Sequence, residues 1–413
     1  MTNLRVELYG VEVGQLIPRN STEFEFNARP EIFQRFSLGS TVMSESVPLL
    51  EIQVRHGRPR RENFFAELLP EGDNLELLAN LVGANKDEVL KILSHYGRDV
   101  AGALQIYDPN EIEEPPDPVA LKIDRREIAR LLREKVTSPL GNKPRFGKSS
   151  LAGVQDKIVL SRIDSDWHQA LNGYPSTHIL KPESKLSPTT IFDEEYGSRI
   201  VRTLGLAAYE SSLEEFDGIT ALVIERYDRN NNYPQGRIHQ EDMNQALGAT
   251  KNQKYQRFGG KVSLSRIAQV INRVEGRDGL AKLAKLNTMA VAIGDLDMHA
   301  KNISILHLPN EDTLLAPAYD SVPQTHRRDL DSEMALAVNG KYAHSIITAE
   351  DLIIEAESWG TRGAKELVEE TLQSIRELVI AETPDPRAYP GLSQDIRTYC
   401  ENLLDGKPTS NRL

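Results

Sequence analysis

The chain has 413 residues, 39% of them hydrophobic and 27% charged, with 49 basic against 61 acidic side chains and a formal net charge of -12. That length allows two or three domains with sizeable cores, and the acidic balance argues against a strong independent grip on nucleic acid, which relies on clustered Lys and Arg. Cys400 is the one cysteine; it excludes an intramolecular disulfide framework and reads as a small buried residue of a C-terminal helix.

The opening stretch MTNLRVELYG carries Arg5 and Glu7 where a secretory signal would be apolar. Apolar runs such as 289–294 fall far short of the roughly 18 residues that a membrane span needs. The expectation is therefore a cytoplasmic chain without membrane contact. Residues 4–28 alternate apolar and polar positions as strands do. From Leu68 the spacing turns helical, with Gly97 placed as a helix C-cap. Residues 107–118 hold four prolines and five acids and read as a domain edge. The segment 124–135 predicts a short amphipathic helix, and 136–150 a mobile basic loop with Lys143, Arg145 and Lys148 that ends in Ser149 and Ser150. QDKIVLSRI, THILKP and ALVIERYDR predict strands, and 192–206 a helix. Beyond 240 the pattern is mostly helical: Leu367, Val368, Leu372, Ile375 and Leu378 form one stripe. The final residues, 405–413, are expected to be disordered. The bounds drawn are 1–118, 119–228 and 229–413: an N-terminal subdomain, a β-rich lobe and a helical lobe. A small β-rich lobe before a larger helical one is the layout of a kinase.

The stretch GDLDMHAKN places Asn302 five positions after Asp297, and Asp320 follows eighteen further on. A magnesium-dependent phosphoryl-transfer site needs a carboxylate for the attacking hydroxyl, an amide oxygen just over one turn away for the metal, and a second carboxylate on another loop. D-x-x-x-x-N alone is weak, so the upstream residues matter. Lys181, at the end of an apolar strand, can reach phosphates, and Glu195 on the next helix is its candidate partner. Glu225, Tyr227 and Asp228 either form a hinge, with backbone for an adenine edge and Asp228 for the ribose, or are a polar turn after a strand. Lys301 can steady a transferring phosphate; His299 reads as structural. No G-x-G-x-x-G is present, but Ala152 and Gly153 are small enough to let backbone amides near Ser150 cradle phosphates. Ser149 and Ser150 either cap a turn there or offer a phosphorylation site whose added charge ejects the loop. A rival reading puts Asp295, Asp297 and His299 on one face of a strand as a metal-hydrolase site.

Taken in order, LLPEG (68–72), GRDVAGALQI (97–106), SLAGVQDK (150–157), THILKP (177–182), the pair Glu195 and Tyr196, ERYDR (225–229), HQEDMNQALG (239–248), KYQRFGG (254–260), GDLDMHAKN (294–302) and LAPAYDSV (315–322) resemble the HipA family, the serine/threonine-kinase toxins of bacterial HipA–HipB toxin–antitoxin modules. The resemblance covers most of the chain. It implies an α+β, two-lobed kinase-like fold, related to protein kinases and to lipid kinases of the PI3/4 type, that uses ATP and Mg²⁺. It implies Asp297 as catalytic and Asn302 and Asp320 as magnesium ligands. Lys181 would lie at the phosphates, Glu225, Tyr227 and Asp228 around the nucleoside, and Ser150 would be the autophosphorylated serine. The implied partners are a protein of translation, an aminoacyl-tRNA synthetase in known members, and a small helix-turn-helix antitoxin that brings the chain to operator DNA. The chain departs from the family pattern at Glu194, where Asn is usual, at Asp295, and in its tandem serines, which let Ser149 compete with Ser150. A catalytically silent co-repressor subunit is the alternative function.

Overall fold

The computed structural model describes residues 2–53, 55–111, 117–134, 140–142, 147–151, 155–327 and 329–410. Its mixed α/β chain divides into two compact units, one of Met1–Pro182, Glu214–Glu241 and Leu306–Asp312, the other of Glu183–Leu213, Asp242–Ile305 and Thr313–Leu413.

In the first unit, β1 (Leu4–Leu8), β2 (Val11–Pro18) and β3 (Phe24–Ala28) form a meander, as the alternation predicts. They lie in a four-stranded sheet of order β3-β2-β1-β4, where β4 is Leu104–Tyr107. In β1 the burial alternates along LRVEL, so Leu4, Val6 and Leu8 face inward. They share a core with α1 (Arg58–Ala66), α2 (Gly72–Leu81) and α3 (Val89–Tyr96). Phe65 on α1 packs its ring 5.1–6.2 Å from those of Phe64, Phe26 and Phe24. Each such buried ring contributes about 1.5–3 kcal/mol by leaving water. Gly97 caps α3, as expected.

A six-stranded sheet follows, in the order β5-β7-β6-β8-β10-β9. Its strands are β5 (Val119–Lys122), β6 (Ile158–Ile163), β7 (Asp166–Leu171), β8 (His178–Pro182), β9 (Ser211–Phe216) and β10 (Ile219–Glu225). The helix α4 (Arg125–Arg133) starts where the Asp124 carboxylate accepts the Glu127 N–H at 2.8 Å. Its Ile128, Leu131 and Leu132 fill the core beside Leu160, Trp167, Leu180 and Phe216.

The second unit is mainly helical, with α5 (Thr190–Thr203), α6 (Met243–Ala246), α7 (Leu264–Val274), α8 (Gly276–Ile293), α9 (Ala349–Ser358), α10 (Ala364–Ala381) and α11 (Leu392–Leu404). The predicted stripe of α10 is its inner face: Val368, Leu372, Ile375 and Leu378 are buried and Leu367 partly so. Cys400 is buried on α11. Through Ser410 the C-terminus is ordered rather than disordered, because Thr409 donates its N–H to Ile347 O and its hydroxyl to His344 O. No helix among the described residues is long and apolar enough to cross a membrane.

Candidate active site

The helix α8 ends at Gly294, whose φ of 69° is left-handed and turns the chain into the loop 295–303. Here GDLDMHAKN is a loop with one short 3₁₀ turn, Ala300–Asn302. It is not a strand, so the one-faced alternation behind the hydrolase reading does not form. Three hydrogen bonds set the loop. The Asp297 N–H donates to Asp295 Oδ1 at 3.2 Å. The Asp297 carbonyl accepts the His299 N–H at 2.7 Å and Asn302 Nδ2 at 2.8 Å. With its amide nitrogen so engaged, Asn302 keeps its Oδ1 as a hard oxygen donor, the type Mg²⁺ prefers. The Asp297 side chain is 44% exposed, and Tyr255 donates its hydroxyl to Asp297 Oδ1 at 3.0 Å.

Asp320 sits in a segment locked within the same unit. The Ala318 N–H donates to Leu206 O, and Tyr209 donates to Ala318 O at 2.8 Å. Tyr319 donates to Lys301 O at 2.6 Å and lies 2.6 Å from the Ser304 hydroxyl. Burial pushes the Tyr319 phenol well above its ordinary range. Asp320 itself has φ 55°, a conformation that Asp tolerates better than most residues. On α5, a Cβ at Gly197 would lie 2.0 Å from Ser321 O, so glycine lets the helix and this segment touch.

Asp295 links these parts electrostatically. It is 2% exposed, and its carboxyl is held well above the usual range by burial, then by the negative charges of Asp297, Asp320 and, more weakly, Glu194. Asp297 and Asp320 therefore share one negative field, and Glu194, also buried, adds to it. Such a field suits a divalent cation. Among the described residues no three His, Cys, Asp or Glu side chains are grouped to hold a metal by themselves. The donors present fit a magnesium site of few protein ligands, completed by phosphate oxygens and water. His299 is buried with Nε2 4.0 Å from Asp297 Oδ1, and Lys301 is buried too. On α5, Arg199 takes both carboxylate oxygens of Glu195, at 2.7 and 2.8 Å.

The remaining predicted residues lie in the first unit. Lys181 is 6% exposed on β8, opposite Leu222 of β10. Glu225 ends β10 and is exposed. Tyr227 donates its hydroxyl to Gln240. Asp228 is buried, and its carboxylate accepts from Arg226 at 2.8 and 3.0 Å, Arg229 at 2.9 Å and Gly102 N at 2.7 Å. It fastens its own neighbourhood, where the sequence suggested a ribose contact, because the flanking arginines fold back onto it.

Asp99 shares this ion network. It pairs with Arg229 at 2.9 Å and Arg237 at 3.5 Å, and accepts from Ser176 Oγ at 2.6 Å. It also holds the serine loop: Ser149 Oγ donates to Asp99 Oδ2 at 3.0 Å, the Ser150 N–H to Asp99 O, and the Asp99 N–H to Lys148 O. Ser150 is fully buried and donates its hydroxyl to Leu68 O at 3.0 Å. Residues 147–151 are thus docked, where the sequence predicted a mobile loop. Lys143, Arg145, Ala152 and Gly153 lie outside the described residues. The sequence suggests no role for Tyr255 or Asp99, although both stand in motifs quoted above; only folding brings their partners to them.

Two family models match the chain, the HipA-like C-terminal domain over residues 149–379 and the HipA N-terminal domain over 4–107. Y4mE of Sinorhizobium fredii, named as a candidate kinase, is 32% identical over 72% of this chain and 71% of its own length. The serine/threonine-protein kinase toxin HipA of Shewanella oneidensis is 27% identical over 70% of this chain and 69% of its own. A chain in the solved complex of Shewanella oneidensis HipA, HipB and operator DNA shares the fold, with a TM-score of 0.77 at 23% identity over 97% of this chain and 96% of that one. The mixed α/β architecture is thus the one seen in that HipA chain. The chain belongs to the HipA family.

Proposed function

We propose that the chain is a cytoplasmic, ATP- and Mg²⁺-dependent serine/threonine protein kinase with a two-lobed architecture, acting as the toxin of a toxin–antitoxin module. The observation that carries this reading is the acidic loop, where the Asp297 carbonyl accepts the Asn302 amide and the Tyr319 hydroxyl beside Asp320 donates to Lys301 O. Asp297 aims the attacking hydroxyl and accepts its proton. Asn302 Oδ1 and the Asp320 carboxylate hold magnesium, which when bound neutralises charge on the phosphates. Lys181 and Lys301 add positive charge for the phosphoryl group, and the backbone at Glu225 and Tyr227 receives the adenine edge. The work is positioning and electrostatic stabilisation.

The substrate class is a protein of translation, an aminoacyl-tRNA synthetase, together with the chain's own Ser150. Because the Ser150 hydroxyl is buried on Leu68 O, self-phosphorylation requires the loop to leave its dock. Ser149, tied to Asp99, is the competing position. The partner is a small helix-turn-helix antitoxin of HipB type that binds operator DNA. The complex of HipA with HipB in the structural relative supports this, and the net charge of -12 suits a basic partner.

The test is transfer of label from γ-labelled ATP to the purified chain. Wild type should take up label only with Mg²⁺, and Asp297→Asn should lose at least about a hundredfold in rate, the scale of a positioned acid–base group. Undiminished labelling of Asp297→Asn would contradict the assignment.

A further inference from the structure

Tyr255 is a residue to which the kinase reading above gives no role. It follows a 3₁₀ turn, Lys251–Lys254, that begins in a capping box between Thr250 and Gln253. The Tyr255 N–H donates to Asn252 O, and the next N–H, of Gln256, donates to Ala335 O at 3.1 Å. The phenol ring stands edge-on to His299 at 5.2 Å and to Phe258 at 6.2 Å. Backbone and ring are thus fixed from several sides, and the hydroxyl at the end donates to Asp297 Oδ1 at 3.0 Å. The Asp297 side chain is half-exposed, on a loop with only one 3₁₀ turn. Such a carboxylate samples several χ orientations unless something holds it. A neutral donor does this without changing the net charge of the site, whereas Lys or Arg would compete for the phosphates.

We propose that Tyr255 is a positioning residue for phosphoryl transfer: its hydroxyl fixes the Asp297 carboxylate in the rotamer that receives the acceptor hydroxyl. This inference rests on Asp297 as the group that aims that hydroxyl. It assigns Tyr255 no contact with nucleotide, so its loss acts on the transfer step and leaves nucleotide binding alone. Loss of a hydrogen bond to a charged group in such a site corresponds to roughly a 10- to 100-fold rate change.

The experiment measures the maximal rate of self-labelling from γ-labelled Mg-ATP and the ATP concentration at half-maximum. The variants are Tyr255→Phe, Asp297→Asn and a chain with 4-aminophenylalanine at position 255, each checked by thermal melting. Tyr255→Phe keeps the ring and its contacts. It should lower the maximal rate roughly 10- to 100-fold with an unchanged half-saturation, and 4-aminophenylalanine, which restores a donor at the same place, should recover most of the rate. A purely structural Tyr255 would show no such split and no rescue. If Asp297→Asn is inactive while Tyr255→Phe keeps the wild-type rate, the inference falls alone. It also falls alone if the rate is lost only through a raised half-saturation or a lowered melting temperature that the amino analogue does not correct. If Asp297→Asn labels at the wild-type rate, or wild type takes up no label, the kinase reading falls and takes this inference with it.

Discussion

Asp99 and Asp228 are buried acids that remain ionised because arginines surround them. Burial alone would raise both carboxyls; Arg229, Arg226 and Arg237 around Asp99, and Arg226 and Arg229 around Asp228, hold them below the usual carboxylate range. A group with a depressed folded pKa adds stability that is present above its unfolded pKa and lost as pH falls toward the folded one. The stability of the first unit should therefore hold at neutral pH and decline below about pH 4, where these carboxylates begin to protonate in the unfolded chain. Removing one partner from such a network leaves uncompensated buried charge, which costs about 3–5 kcal/mol. Asp99→Asn should show that loss in urea unfolding at pH 7, together with a shallower acid dependence than wild type and faster protease cutting near Ser149. A variant with the same midpoint and the same acid slope would show that the network is incidental. Little in the sequence announces it: Asp99 and Asp228 stand far apart in the chain, and beside arginines each looks like an ordinary surface acid until the fold joins them.

Among the secondary-structure elements, the strands and helices with one clear apolar face were legible. LRVEL alternates because one side of a sheet is buried, and the α10 stripe repeats because one side of a helix is. What periodicity does not encode is a loop held by hydrogen bonds. Residues 147–151 have no apolar rhythm, yet backbone bonds to Asp99 and the Ser150–Leu68 bond dock them. The contact between Asn302 and Asp297 spans only five positions, whereas Tyr255 reaches Asp297 from 42 positions earlier in the chain. The contact of α5 with the Asp320 segment is another such case, since it depends on a missing side chain. Gly197→Ala places a methyl against Ser321 O and should cost about 1–3 kcal/mol as an overpacking change. If the Asp320 segment shifts as a result, the Mg²⁺ concentration needed for half-maximal labelling should rise as well. Unchanged urea unfolding and unchanged Mg²⁺ dependence would show that the close approach has no consequence for the site.

Across the whole chain, the order of motifs carried more than any one of them. Lys181 precedes Glu225, Tyr227 and Asp228, and these precede Asp297, Asn302 and Asp320, while the family matches span both the N-terminal and the C-terminal parts of the chain. The proposed ligands of the acidic loop site come from two short segments that local hydrogen bonds set. The ion network and the docked serines were hidden because they depend on contacts between segments far apart in sequence. The proposed function reduces to one event, direct transfer of the γ-phosphoryl of ATP to a serine hydroxyl that Asp297 aims and deprotonates. Intact mass of wild type and Asp297→Asn after incubation with Mg-ATP, with the modified residue mapped, reads that event without an added substrate. Wild type should gain one phosphoryl group on Ser150 and the variant none. Equal modification of the two proteins, or no modification of either, would contradict it.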